Sequence, residues 1–201
     1  MLKVGLTGGL ACGKSFVGQA LADLGCRLIQ ADELGHQVLS PGGEAYEQVV
    51  REFGTAVLDR GGKIDRKRLA LEVFGKPERL AVLNSMVHPP VIRREEELMA
   101  QIAAADPSAI VVVEAAILIE TGSYQRFDRL ILVACDEGQQ LERAMRRNHA
   151  DREEVLIRLN RQMPLEEKRK FADFVIDTSG SKEETLRQTR EVYQTLRRME
   201  L

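Results

Sequence analysis

The sequence predicts an α/β protein built on a parallel sheet with helices on its faces. Apolar segments of strand length alternate with segments of helical spacing, which is the order typical of parallel sheets. A glycine-rich segment, Gly8 to Ser15, joins the first strand to the first helix. The alternation stops at residues 32–105, where the pattern is helical. We therefore expect a sheet domain formed by residues 1–31 and 106–201, into which the helical domain is inserted.

Five apolar segments are predicted to form the strands of the sheet. In chain order they are Lys3 to Leu6, Cys26 to Gln30, Ile110 to Val113, Leu130 to Ala134 and Phe174 to Ile176. The first helix is expected to end at Gly25, because glycine accepts the left-handed conformation that closes many helices. Within the insertion, Ala56 to Leu58 is a weak candidate for a further strand.

Prolines divide the helical part of the insertion. Proline is favoured in the first turn of a helix, because the N–H that it lacks would have no partner there. We therefore predict one helix from Pro77 to Met86 and a separate long helix that begins after Pro89-Pro90. Outside the insertion, the charged stretch from Gln139 to Lys170 is also predicted to be helical, and it is rich in arginine.

The composition is that of an ordinary globular protein. Among 201 residues, Lys and Arg (29) nearly balance Asp and Glu (31), so no overall positive charge points to a nucleic-acid partner. The apolar runs are too short to span a membrane, and nothing indicates an obligate protein partner. The three cysteines lack metal-ligand spacing and fit reduced thiols. We therefore expect a cytoplasmic protein.

The spacing Gly8-x-x-x-x-Gly13-Lys14-Ser15 is that of a phosphate-binding loop between a strand and a helix. Its glycines let the backbone curl, so that successive N–H groups point at phosphate oxygens. Lys14 is predicted to reach the β- and γ-phosphates, and Ser15 to ligate Mg²⁺. The loop predicts binding of a nucleoside triphosphate through Gly8, Gly9, Ala11, Cys12, Gly13, Lys14, Ser15 and Phe16.

Two carboxylates follow predicted strands, and the carboxyl ends of strands are where parallel sheets bind ligands. Asp32 comes two residues after the second strand, where it can accept the proton of an acceptor hydroxyl or cap the next helix. Glu114 ends the third strand, where it can hold Mg²⁺ through water, contact a substrate or form a structural ion pair. The residue types alone leave these alternatives open.

Arginines are concentrated after the fourth strand. Arg143 and Arg147 are four residues apart, so they share a helix face and can close over a polyphosphate as a lid. The alternative is a solvated helix whose arginines pair with neighbouring glutamates. His88, which precedes Pro89-Pro90, marks a predicted helix start and has either a structural or a substrate-binding role.

Together these motifs resemble the dephospho-CoA kinases, almost from one end of the chain to the other. The similar segments are Leu6 to Ser15, Ile29 to Asp32, Phe53-Gly54, Gly62 to Arg66, His88-Pro89, Gln140 to Arg143 with Arg147, Gln162, and Ala172 to Asp177. The resemblance implies a P-loop kinase fold like that of nucleoside-monophosphate kinases, with a lid at about residues 147–162. It also implies transfer of phosphate from ATP, with Mg²⁺, to the ribose 3′-hydroxyl of dephospho-CoA, which residues 32–105 would bind.

The resemblance also implies roles for individual residues. The predicted catalytic residues are Asp32, Lys14 and Arg143, and the predicted ATP-binding residues include Arg143 and Arg147. The residues predicted to bind the acceptor substrate are Thr7, Asp32, His88 and Glu114.

Two segments depart from the pattern of the family. Ala116 to Glu120 stands where the family commonly has Pro-Leu-Leu-Phe-Glu, so the direct contacts of that segment are not carried over. Thr178 replaces the usual asparagine after the last strand. We therefore expect backbone groups of residues 178–180, rather than that side chain, to contact adenine.

Two other classes share parts of this pattern. A nucleoside or nucleoside-monophosphate kinase would differ only in what the insertion binds. A GTP-dependent switch protein would share the loop, and Asp59 to Gly62 formally matches a D-x-x-G motif, but no clear buried strand precedes it. Nucleotide preference separates the switch from the kinases.

Overall fold

The computed structural model describes residues 1–148, 151–160 and 162–200. The chain divides into two compact units, the first formed by residues 1–30 and 101–201 and the second by residues 31–100. In chain order the helices of the described residues are α1 Lys14–Asp23, α2 Ala31–Val38, α3 Tyr46–Phe53, α4 Arg66–Val73, α5 Pro77–Ala105, α6 Glu137–Asn148, α7 Arg152–Leu159, α8 Leu165–Arg169 and α9 Lys182–Glu200.

The first unit contains a five-stranded parallel sheet with the order β2-β3-β1-β4-β5. Its strands are β1 Leu2–Gly8, β2 Arg27–Gln30, β3 Ile110–Glu114, β4 Arg129–Ala134 and β5 Phe174–Asp177. The predicted sheet is confirmed, with strand ends shifted by one or two residues. In the register, Leu6 of β1 lies beside Glu114 of β3 and Ile131 of β4, so the segment after β1 starts at the centre of the sheet.

The core of the first unit lies between the sheet and helices α1 and α9. Val17 and Leu21, one turn apart on α1, are fully buried with Val4 and Leu6 of β1. Leu196 brings α9 into the same cluster. The apolar stripe of α1 therefore fixes that helix against the sheet, which holds its N-terminus beside the end of β1.

The second unit is helical and has its own core. Val38, Val49, Phe53, Val57 and Leu69 come from successive elements and bury one another. The weak strand expected at Ala56 to Leu58 is wrong: Thr55–Val57 is a 3₁₀ helix, and Leu58 makes only an isolated bridge to Ile64.

Helix α5 corrects the predicted break at Pro89-Pro90, because it continues through both prolines. Each proline removes one helical N–H, and this loss normally favours a helix end. Leu83, Met86 and Val91 flank the prolines and pack against the core of the second unit. Packing of the apolar side chains on both sides of the prolines therefore holds the helix continuous.

None of the described helices has the length and apolarity needed to cross a membrane.

Candidate active site

The P-loop connects the end of β1 to the start of α1. Gly13 has φ 84°, a left-handed conformation that favours glycine, and Ala11 has φ 57°. A Cβ added to Gly8 would lie 2.3 Å from the carbonyl oxygen of Val133 on β4. The glycines of the motif therefore serve two purposes, since one permits the turn and the other permits close contact with the neighbouring strand.

The side chain of Lys14 folds back along its own loop. Its Nζ donates to the carbonyl oxygen of Gly9 at 3.1 Å and to that of Gly8 at 3.4 Å. The Cys12 N–H also stays within the loop and donates to Gly9 O at 3.3 Å. In this arrangement the lysine ammonium is bonded to two carbonyl oxygens of its own loop.

Ser15 and Glu114 meet beside the N-terminus of α1. Ser15 Oγ donates to Glu114 Oε1 at 2.8 Å, and Gln30 Nε2 donates to Glu114 Oε2 at 3.3 Å. Gly18, one turn along α1, leaves space for the carboxylate, because a Cβ there would approach Glu114 Oε2 to 3.2 Å. The hydroxyl and carboxylate that the sequence placed 99 positions apart are thus in direct contact.

The Ser15–Glu114 pair fits a magnesium ion. Mg²⁺ prefers oxygen ligands and keeps several waters, and it is commonly held by one or two protein oxygens together with substrate phosphates. No group of three or more His, Cys, Asp or Glu side chains suited to a metal occurs among the described residues. Ser15 and Glu114 are the residues whose oxygens could hold such an ion.

Arg143 of α6 is anchored to the segment after β5. Its NH1 donates to Thr178 Oγ1 at 3.0 Å, and its NH2 donates to Thr178 O and to Gln139 Oε1, both at 2.8 Å. Thr178 Oγ1 lies 2.9 Å from Cys12 O, to which it donates. Thr178 is 6% exposed, so its side chain serves internal bonds. The side chain of Arg147 lies outside the described part, as does some of the predicted lid at residues 147–162.

The remaining predicted residues have varied surroundings. Thr7 is fully buried, and its hydroxyl donates to Ala116 O at 3.2 Å, so its side chain supports the segment after β3 and offers no surface to a substrate. Phe16 is 38% exposed at the start of α1. Asp32 and His88 lie in the second unit, on α2 and α5.

The structure also describes these two residues individually. Asp32 is exposed and lies inside the first turn of α2, which begins at Ala31, so it does not cap that helix. His88 is half-buried, and burial lowers its pKa below the ordinary value of 6.5.

Two contacts in the first unit, which contains the P-loop and is called the P-loop unit below, were not predicted from the sequence. Gln162 Oε1 accepts the N–H of Leu10 in the loop at 2.9 Å. Lys168, which is fully buried on α8, lies 2.8 Å from Glu120 Oε1. Sequence reasoning had singled out Gln162 only as a family-like position, and nothing in the local pattern of Lys168 distinguishes it from the exposed lysines around it.

A cavity of about 480 Å³ opens next to the loop. Among the described residues, its walls include Gly9, Cys135 to Glu137 and Gln140 after β4, Leu159, Asn160, Gln162 to Glu166, and Asp177 at the end of β5. The Gln140 side chain packs against Gly9 so closely that a Cβ there would lie 2.3 Å from Gln140 Nε2. The cavity therefore lies within the first unit, between the P-loop and residues of the arginine-rich stretch.

A P-loop at the centre of a five-stranded parallel sheet, with a serine at the helix start and a carboxylate on the neighbouring strand, is typical of the P-loop proteins that bind nucleoside triphosphates. The model of the dephospho-CoA kinase family matches residues 2–184. The chain belongs to this family.

Individual relatives agree with the family assignment. The dephospho-CoA kinase of Aquifex aeolicus is 40% identical over 198 residues, covering 98% of this chain and 99% of that protein. The dephospho-CoA kinase of Carboxydothermus hydrogenoformans is 43% identical over 187 residues, covering 92% of this chain and 89% of that protein. The crystal structure of TT1252 from Thermus thermophilus is similar with a TM-score of 0.84 at 35% identity, covering 97% of each chain. The chain is thus a kinase that uses ATP.

Proposed function

We propose that the protein transfers the γ-phosphoryl group of ATP to the ribose 3′-hydroxyl of dephospho-CoA, which gives coenzyme A. The observation that carries the proposal is a P-loop with its Ser15–Glu114 pair in a chain that matches the dephospho-CoA kinase family over residues 2–184. Three free, buried cysteines and the absence of a membrane-spanning helix among the described residues support the further proposal that it acts in the cytoplasm.

The donor half of the proposed site is the P-loop. Backbone N–H groups of the loop that have no bond within the protein, together with the N-terminus of α1, would hold the β- and γ-phosphates. Lys14 would exchange its bonds to the Gly8 and Gly9 carbonyls for phosphate oxygens, a movement of its side chain alone. This exchange replaces neutral acceptors with anionic phosphate oxygens, so the ammonium gains an ion pair in addition to its hydrogen bonds.

Ser15 and Glu114 are the residues that would hold Mg²⁺, the serine directly and the glutamate through water. Bound there, the ion would neutralise charge on the β- and γ-phosphates. Gln30 keeps the Glu114 carboxylate oriented through its bond to Oε2, and this leaves Oε1 for Ser15 or for a water. Glu114→Gln is therefore expected to raise the Mg²⁺ concentration needed for half-maximal turnover, with little effect on the fold.

The acceptor half of the proposal assigns the general base to Asp32. The alternative role as a helix cap is not supported, because α2 begins before Asp32 and its carboxylate is exposed. An exposed carboxylate can accept the proton that the 3′-hydroxyl loses as the phosphoryl group transfers. The helical unit, residues 31–100, would bind the rest of dephospho-CoA, with His88 as a proposed contact.

Arg143 and Arg147 are the proposed lid arginines. To reach a phosphate, Arg143 must give up its bonds to Thr178 and Gln139, so lid closure and the segment at residues 178–180 would be coupled. Thr7 contributes to the proposed site only through the position of the backbone that its buried hydroxyl fixes.

The acceptor can be identified by a coupled assay of ATP consumption. Dephospho-CoA is compared with adenosine, AMP and small alcohols, and ³¹P NMR locates the phosphate that is added. Transfer to the 3′-hydroxyl of dephospho-CoA is expected. A preference for a nucleoside or nucleoside monophosphate would replace this proposal by the other kinase class, and tight GTP binding without transfer to any acceptor would overturn both.

The role of Asp32 can be tested with a neighbouring residue as control. Asp32→Asn should lower kcat by about 10² or more and leave the affinity for ATP nearly unchanged, because the general base acts on the acceptor. Glu33→Gln removes an adjacent carboxylate of the same turn, which is also exposed, and should keep normal turnover. Equal activity of the two variants would remove Asp32 from the mechanism.

A further inference from the structure

The P-loop carries a thiol that touches a second thiol of the neighbouring strand. Cys12 lies inside the loop and Cys135 directly follows β4, 123 positions away, yet their Sγ atoms are 3.1 Å apart. Both side chains are buried, at 0% and 8% exposure, in the core cluster of the first unit. The two sulfurs are therefore at hydrogen-bonding distance, in a position where a covalent bond needs only a small movement.

The surroundings of the two thiols make them chemically different. The hydrogen bond with Cys12 and the positive charge of Arg143 lower the pKa of the Cys135 thiol. The same hydrogen bond, together with burial, raises the pKa of the Cys12 thiol. Cys135 is thus the thiol that ionises first, and Cys12 is a protonated thiol held against it. The thiolate is the form that reacts with oxidants.

Cys135 is also the thiol that a small reagent can reach. It lines the cavity of about 480 Å³ beside the loop, together with Gly9 and Gln140. Cys12 has no exposed surface and is not part of that lining. A hydroperoxide entering the cavity therefore meets Cys135, and Cys12 is the nearest group that can resolve the product.

We propose that Cys12 and Cys135 form an oxidative modification site that closes to a disulfide and disables the P-loop. In the first step, the Cys135 thiolate attacks one oxygen of a hydroperoxide, so that an S–O bond forms, the O–O bond breaks and the second oxygen leaves as hydroxide or alkoxide. In the second step, Cys12 Sγ attacks the Cys135 sulfenic acid, the S–S bond forms, and the sulfenic oxygen leaves as water with the Cys12 proton. The two sulfurs are oxidised and the hydroperoxide is reduced. A thiol reductant reverses the change by exchange.

The disulfide would alter the loop because it must shorten the contact. An S–S bond is about 2.05 Å long, so the sulfurs must approach by about 1 Å. Cys12 sits between Ala11 and Gly13, which both have left-handed φ, and its carbonyl oxygen is held by Thr178. The strain therefore falls on the backbone amides of the phosphate site. A displacement of about 1 Å in such a site can lower turnover by about 10²-fold.

The test uses the full-length protein, hydrogen peroxide as the oxidant and dithiothreitol as the reductant. Trypsin places each cysteine in its own peptide: Val4 to Lys14, Ser15 to Arg27 and Leu130 to Arg143. After oxidation, non-reducing peptide mapping should show Val4 to Lys14 joined to Leu130 to Arg143 with the loss of two hydrogen atoms. Phosphotransferase activity should fall about 10²-fold and return on reduction. Activity of the reduced enzyme toward dephospho-CoA is measured separately, so a failed substrate assignment is distinguishable from a failed modification.

Two variants make the result specific. Cys135→Ala, with Cys135→Ser as the second version in case the first lowers stability, should keep its activity in peroxide and show no joined peptide. Cys26→Ala removes the third cysteine, a buried thiol whose pKa burial raises to about 12, and it should be inactivated like the parent protein. The proposal is overturned by peroxide treatment that joins no peptides, by a joined pair that leaves activity intact, or by equal inactivation of the Cys135 variants.

Discussion

The ion pair between Lys168 and Glu120 should be a major determinant of the stability of the P-loop unit. Lys168 is fully buried, and its Nζ lies 2.8 Å from Glu120 Oε1 and 3.3 Å from Ala116 O. Glu120 Oε1 also accepts the N–H of Met163 at 3.2 Å, whereas Oε2 is buried and has no hydrogen-bond partner among the described residues. Each charge therefore depends on the other, and truncating one leaves the other without adequate compensation.

The structure sets the size of the expected effects. Breaking a buried pair by removing one partner destabilises a protein by about 3–5 kcal/mol. Lys168→Met should fall near the lower end, because the Glu120 side chain is 19% exposed and water can compensate it in part. Glu120→Gln should fall toward the upper end, because the ammonium group that it leaves has no exposed surface. The double variant removes both charges and should be less destabilised than the sum of the two by at least about 2 kcal/mol.

The assay is urea-induced unfolding followed by circular dichroism, at one pH for all variants. Arg146→Gln is the control, since it breaks the Arg146–Glu142 pair, whose side chains are 77% and 66% exposed. Arg146→Gln should lower the free energy of unfolding by less than about 1 kcal/mol. Two results would refute the prediction. Lys168→Met could lower the free energy of unfolding no more than Arg146→Gln does, or the effects of Lys168→Met and Glu120→Gln could simply add; in either case burial of the pair does not determine what it contributes to stability.

Three further predictions concern the backbone and the second unit. Gly8→Ala should destabilise the protein by more than about 2 kcal/mol and abolish ATP binding in calorimetry, because the added Cβ would lie 2.3 Å from Val133 O. The control is Gly138→Ala, which has open space around the added Cβ and should be neutral or slightly stabilising. Asp65→Ala should lower the free energy of unfolding by about 1 kcal/mol in urea titrations, because Asp65 caps α4 by accepting two backbone N–H groups, and Asp65→Asn should retain most of it. Burial lowers the pKa of His88 below 6.5, so the unfolded chain binds a proton more readily than the folded one, and stability is lost as pH falls from 6.5 through the folded pKa. In His88→Gln, thermal unfolding measured at a series of pH values should show stability that depends less steeply on pH in that range. An unchanged slope would exclude His88 as the source of the pH dependence.

The sheet and its loop were predictable because their signals are local. Each strand is a short apolar run, and Gly8 to Ser15 carries its function in the spacing of adjacent residues. The same local reasoning was wrong at Pro89-Pro90, where it predicted a break and the helix continues. The deciding factor there is the core that Leu83, Met86 and Val91 join, and this depends on residues far away in sequence. Helix propensity correctly indicates that two prolines destabilise a helix, but it contains no information about the distant packing that offsets this loss.

The candidate site was predictable in its residue types and less so in its contacts. Ser15 and Glu114 were both singled out, yet only the pairing of β1 with β3 brings them together. Arg143 was expected over phosphates, and the structure has it bonded to Thr178, at the position where the family's usual asparagine is replaced. The contact between Cys12 and Cys135 had no sequence signal, because a spacing of 123 residues carries no information about distance.

These long-range contacts share a physical consequence for the P-loop. The N–H of Leu10 is held by Gln162 and the carbonyl of Cys12 by Thr178, so two distant segments hold the backbone of one loop. A loop of glycines and small residues has high conformational entropy when free, and each external bond reduces the entropy that phosphate binding must otherwise remove. The glycine spacing therefore makes the phosphate-binding shape accessible, and the side chains that reach the loop from the segments after β4 and β5 select it. Substitutions of Gln162 and Thr178 should act mainly on ATP affinity, even though these two residues lie outside the P-loop motif.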